Sequence, residues 1–144
     1  MATIVSKEYA TALLDTIATT YATDGLEVAF LTGAPTISGG TLDISSVELS
    51  GVTNNGYARI PLPVADLTAA SGNNPVALSN DAVLVSEYNG GASAWQAINY
   101  VAVIDAAAGG DVLMVIGTAA PVTIAEGRRA RIPVGALTLR IASA

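Results

Sequence analysis

The feature that most constrains this chain is the stretch from Ala94 to Thr118, AWQAINYVAVIDAAAGGDVLMVIGT. Trp95, Ala97, Val101 and Val103 recur at every second position or a multiple of it, the period at which side chains share one face of a β-strand. DAAAGGD then supplies a chain reversal, and Gly109 and Gly110 can take the positive φ that such a turn requires. The return run, Val112 to Ile116, consists of Val, Leu, Met and Ile. The stretch reads as a long hairpin at the centre of an all-β domain.

The remaining segments fit around it. Residues 6–22 are predicted to form a helix, with Ser6 as N-cap, Glu8 in the first turn, and Ala10, Leu13, Leu14, Ile17 and Tyr21 on one apolar face, stopped by Asp24-Gly25. So short a helix is marginal alone in water, so its apolar face is expected to dock within the chain. Residues 26–32 alternate as a strand, with Leu26, Val28 and Phe30 set against Glu27 and Ala29. TLDISSVELS, residues 41–50, reads as an edge-type strand with a bulge at Ser45-Ser46. Residues 56–63 read as a short strand that Pro61 and Pro63 confine to an edge or an end. Residues 64–81 read as a loop with little to offer a core, and residues 82–87 as the next strand, followed by the turn Asn89-Gly90-Gly91. After Pro121 comes a weak strand, VTIA. Residues 128–133 and 136–142 read as a last hairpin. About eight short strands at this spacing predict an antiparallel β-sandwich, jelly-roll-like, with one N-terminal α-helix, as a single domain over residues 1–144.

Composition narrows the chemistry. The 144-residue chain has no Cys and no His, which removes disulfides, thiolate nucleophiles, imidazole bases and most zinc or iron sites together. No Gly-x-Ser-x-Gly, Asp-Thr-Gly or phosphate-cradling glycine pattern occurs, and the acids are scattered singly, so catalysis is not expected. Asp105 and Asp111 flank the central turn and could hold calcium with backbone carbonyls, but without an Asp-x-Asp-x-Asp-Gly run they read as turn-capping residues. No metal and no cofactor are expected. Trp95 reads as packing rather than a sugar platform. No stretch reads as membrane-spanning, and the N-terminus is not a signal peptide.

Only 12% of residues are charged, so much of the surface is Ala, Gly, Ser, Thr and Asn, a surface suited to contact with neighbouring subunits. The net charge of −6 conceals an asymmetry. Residues 1–127 contain Lys7 and Arg59 as their basic residues against all the acids, whereas Arg128, Arg129, Arg131 and Arg140 follow with no acid among them. Nucleic-acid binding would need a wider basic field with interleaved aromatics. The arginines either solvate a strand face or offer an attachment surface to an acidic protein, with Arg129, Arg131 and Arg140 on one side of the last hairpin.

Taken in order, a helix, LEVAFLTGAP, Gly-Tyr-Ala-Arg at 56–59, Ala94-Trp95, VAVIDAAAGGDVLM, Gly127 and PVGALTL resemble a family of small bacteriophage virion proteins, tail-fibre-like and in some phages acting as capsid decoration or cement proteins. Gln96 stands where a glycine commonly follows the tryptophan, and residues 36–55 depart from the pattern. The resemblance implies a non-enzymatic structural protein of the virion, with no catalytic residues to transfer. A fibre tip would bring a shaft or stalk, which the sequence lacks. The resemblance therefore puts a decoration protein first, bound to the major capsid protein and to copies of itself as a trimer or dimer on the capsid surface, after assembly in the host cytoplasm. A tail or tail-fibre component with a host-recognition or carbohydrate-binding role comes second.

Overall fold

The central hairpin forms as β7 (Ile98–Ile104) and β8 (Val112–Val122), in a computed structural model that describes residues 7–20, 25–68, 71–72, 76–106 and 109–141. Before it come α1 (Lys7–Thr20), β1 (Leu26–Leu31), β2 (Thr36–Ser38), β3 (Thr41–Asp43), β4 (Ile60–Leu62), β5 (Val76–Ser79) and β6 (Leu84–Tyr88). After it come β9 (Arg129–Ile132) and β10 (Thr138–Ile141). The fold is mostly β, with antiparallel ladders and one N-terminal helix, consistent with the sandwich class expected. The described strands number ten rather than about eight. They form one sheet in the order β4-β1-β7-β8 and the pairs β10-β5, β2-β3 and β6-β9, a more divided arrangement than the two four-stranded sheets of a jelly roll.

The chain divides into two compact units, one from Met1–Gly25, Pro63–Leu84 and Ile132–Ala144, the other from Leu26–Leu62 and Val85–Arg131. The second contains the four-stranded sheet. In it β1 lies between β4 and β7, and five of its six side chains are buried. The expected alternation holds for Val28 and Phe30, which lie opposite Val103 and Val101. Ala29 and Leu31, however, are buried on the other face, where Ala29, Leu31, Ala102 and Ile104 pack with Ile44. A strand covered on both faces loses the polar half of its pattern, and each large aliphatic side chain fully buried contributes about 1.5–3 kcal/mol. On the Phe30 face, Tyr57 lies 6.1 Å from Phe30 between ring centroids and 5.8 Å from Trp95, edge-on to the latter. Trp95 precedes β7 instead of lying on a strand, and it donates from Nε1 to the Asn55 carbonyl at 3.0 Å. It is 2% exposed, so its role is packing.

The segment read as one bulged strand over 41–50 divides. β3 ends at Asp43, whose carboxylate accepts the Ser45 amide at 2.9 Å and turns the chain. That hydrogen bond, on the exposed Asp43, lowers its pKa. β4 is an outer strand, as its prolines required, and VTIA adds no strand because β8 runs on through Pro121 to Val122.

In the first unit α1 packs on β5 and β10, so the helix docks within the chain as expected. Ala10 and Leu14, one turn apart, are buried, whereas Leu13 is 42% exposed and leaves the apolar face it was assigned to. Ser6, Tyr21 and residues 73–75 of the expected turn lie outside the described residues. Residues 64–81 are more than a loop: a 3₁₀ turn (Val64–Asp66) precedes β5, and Leu78 is buried against its β10 partner Leu139. Asn80, fully buried, donates to the Ala82 and Pro133 carbonyls and accepts the Leu137 amide. Among the described residues no helix is long and apolar enough to cross a membrane.

Candidate interaction surface

Arg128, Arg129 and Arg131 are exposed on and beside β9, with Ala130 between them buried and its amide donating to Ser86 Oγ at 2.9 Å. Alternation along β9 therefore sends Arg129 and Arg131 outward, as the pattern required. Arg129 places its guanidinium 3.7 Å from the centroid of the Tyr88 ring on the paired strand β6, and Tyr88 is itself 55% exposed. A planar cation stacked on a tyrosine is worth about 0.5–1 kcal/mol at an exposed site, and Arg and Tyr are among the residue types that anchor protein interfaces. Arg140 is exposed too, but β10 pairs with β5 and β9 with β6. The last hairpin does not form, and Arg140 belongs to the first unit while Arg128, Arg129 and Arg131 belong to the second. The turn at Pro133–Ala136 closes instead through Asn80, whose carbonyl accepts the Gly135 amide at 2.8 Å. The expected group of three on one hairpin reduces to the β9 arginines and Tyr88.

A second charged group, which no sequence motif marks, ties the central turn to the rest of its unit. Arg59 donates from Nε to Glu48 Oε1 at 2.7 Å and from Nη2 to Glu48 Oε2 at 2.8 Å, a two-pronged ion pair. Its Nη1 donates to the carbonyls of Ala106 at 2.7 Å and Gly109 at 2.6 Å, which ties the hairpin turn to the Glu48 segment. Tyr57 donates its hydroxyl to Glu48 at 3.1 Å and accepts the Phe30 amide at 3.2 Å. The hydrogen bond to Glu48 raises the Arg59 pKa, and burial above all pushes the Tyr57 phenol well up, so both stay protonated at any ordinary pH. Every oxygen of Glu48 is already an acceptor for a fixed donor, so the group acts as a clamp and not as an acid or base. The adjoining cleft, about 410 Å³, is lined by Ser45, Ser50 and Gly51 as well as the clamp. Arg59, the one basic residue between Lys7 and Arg128, was the signal in the sequence that could have identified it.

Asp105 Oδ1 accepts the Asp111 amide at 2.7 Å, the turn-capping role, and among the described residues no three acidic side chains converge. Asn89, read as a turn residue, and Asn54 are buried connectors. Asn54 accepts the Gln96 amide and donates to the Gln96 side chain, and Asn89 donates to the Ser93 and Ile124 carbonyls at 2.8 Å each.

A family model described as podophage GP4 fiber I protein gp80 matches residues 1–140. The chain belongs to this family. The match makes it a bacteriophage virion structural protein. No curated protein matches the chain. Several residues of the motif order that pointed to such a family do structural work. Gly-Tyr-Ala-Arg supplies Tyr57 and Arg59 of the clamp, and PVGALTL supplies the turn held by Asn80. Gln96, the departure after the tryptophan, forms both hydrogen bonds with Asn54.

Proposed function

We propose that this chain is a non-enzymatic component of the phage tail fibre apparatus, held in the virion by protein contacts. The observation that carries the reading is the match to a fiber protein family over residues 1–140. It supports the tail over the head and reverses the order expected from the resemblance, in which capsid decoration stood first. The major capsid protein, as a partner, goes with the head reading. The satisfied Glu48–Arg59–Tyr57 clamp supports a structural role, because its polar groups are spent on holding loops.

The attachment surface in this reading is β9 with Tyr88: Arg128, Arg129 and Arg131 face an acidic patch on a neighbouring virion subunit. Arginine suits this role through its fork geometry and weak hydration. Labelled antibody on intact particles tests the location. Label on the tail fibres is expected; label distributed over the head means that the protein is a decoration protein instead.

A further inference from the structure

The sequence contains two Asn-Gly pairs, Asn55-Gly56 and Asn89-Gly90. At such a pair the backbone amide of the glycine can attack the side-chain amide of the asparagine, because glycine puts no side chain beside the attacking nitrogen. The fold treats the two pairs in opposite ways. Asn89 is 1% exposed, its Nδ2 donates to the Ser93 and Ile124 carbonyls, and its Oδ1 accepts the Gly91 amide. Asn55 and Gly56 are both exposed, and among the described residues neither the Asn55 side chain nor the Gly56 amide makes a hydrogen bond. The carbonyl that joins Asn55 to Gly56, by contrast, accepts from two donors, the Trp95 indole N–H at 3.0 Å and the Gly90 amide at 3.2 Å. Loss of the Gly56 amide proton places negative charge on that carbonyl oxygen, and donors already aimed at an oxygen stabilise charge that develops there.

We propose that Asn55-Gly56 is a self-acting modification site, at which the folded chain converts Asn55 to aspartate and isoaspartate with water as the co-reactant. Hydroxide removes the Gly56 amide proton, and the nitrogen attacks Asn55 Cγ. The new C–N bond closes a succinimide ring, the Cγ–Nδ2 bond breaks, and Nδ2 leaves as ammonia with a proton taken back from water. Water then opens the ring at either carbonyl, so the net change is a water consumed and an ammonia released, with nothing oxidised or reduced. Opening at Cγ gives aspartate. Opening at the backbone carbonyl gives isoaspartate, in which the chain runs to Gly56 through Cγ and is longer by a carbon. Either product adds a negative charge to a chain of net charge −6. Isoaspartate also detaches Gly56 from the carbonyl that Trp95 and Gly90 hold, and Gly56 lies so close to the Tyr88 carbonyl that even a Cβ on it would collide. The lengthened turn no longer fits against Tyr88–Gly90, next to the Tyr88 ring that stacks on Arg129. The site acts in this way whether the particle carries the protein on its tail or its head.

The test needs no substitution. The natural full chain is incubated at mildly alkaline pH, once folded and once in urea, and both pairs are followed by mass spectrometry. Trypsin separates them, since Arg59 lies between Asn55 and Asn89. In the folded chain Asn55 is expected to convert about tenfold or more faster than Asn89, whose buried amide reacts only through local opening. In urea Asn89 is expected to catch up while the Asn55 rate changes little. Equal rates in the folded chain overturn the proposal. An Asn55 rate that climbs in urea as steeply as that of Asn89 overturns it too, because the fold would then shield both pairs alike. The converted chain, separated by its added charge, tests the consequence for the turn. Its melting temperature is expected to fall by about 3 °C or more, and an unchanged melting temperature would refute the structural effect assigned to conversion.

Discussion

Arg59 and Arg129 carry the same charge in opposite surroundings. The Arg59 side chain is 9% exposed and makes four hydrogen bonds, two to a carboxylate and two to carbonyls of the hairpin turn. Arg59→Ala leaves Glu48 without its counter-charge and frees the turn, so urea unfolding is expected to show a loss of about 3 kcal/mol or more. Arg129→Ala removes an exposed stack on Tyr88, and the same measurement is expected to show less than about 1 kcal/mol. Glu27 sets a pH dependence. Burial raises its pKa above the unfolded value, with Arg59 partly opposing the shift. The fold therefore favours the protonated form, and this contribution is present at acid pH and lost as pH rises through the folded pKa. Glu27→Gln is expected to gain stability relative to the natural chain between pH 4 and pH 7 in parallel denaturation curves; a constant difference across that range would refute the assignment. None of this is legible from residue type, because the partners of Arg59 lie 11, 47 and 50 residues away in sequence.

Element identity follows sequence pattern where an element is long enough to show a period. The helix, β1 and the β7–β8 hairpin appear where periodicity placed them, within a few residues. The pattern fails where an element is short or its partner remote. β5 reads as loop in the sequence because its four residues lie in a turn-rich segment and its partner β10 is far along the chain. β9 and β10 were paired with each other because they are neighbours in sequence, but Asn80 takes the intervening turn and each strand pairs elsewhere. Two substitutions at this scale separate conformation from packing. Gly56 has a φ of +84°, and a Cβ there would collide with the Tyr88 carbonyl oxygen. Gly39, at φ +58°, faces open space. Gly56→Ala is expected to cost about 3 kcal/mol or more and Gly39→Ala about 1 kcal/mol by thermal unfolding. On the helix, Leu14→Ala is expected to cost about 2–3 kcal/mol and Leu13→Ala less than about 1 kcal/mol.

At the scale of the whole molecule, the β9 arginines test the attachment surface. Replacing Arg129 and Arg131 by Ala together is expected to lower occupancy on particles lacking the protein, and to flatten its dependence on salt, because exposed ion pairs are screened. Occupancy and salt slope equal to those of the natural chain would make these residues a solvated strand face. The sequence by itself determined the all-β class with its one helix, the exclusion of thiol and imidazole chemistry, and the family, since these rest on residue types and on periods of two and 3.6 that any local stretch displays. Tertiary structure decided which strands pair, which arginine is a clamp and which are exposed, and why Gly56 admits no side chain. Those outcomes depend on contacts between residues distant in the chain, and the buried carbonyl, amide and carboxylate groups that must each find a partner select among pairings that local pattern leaves equal.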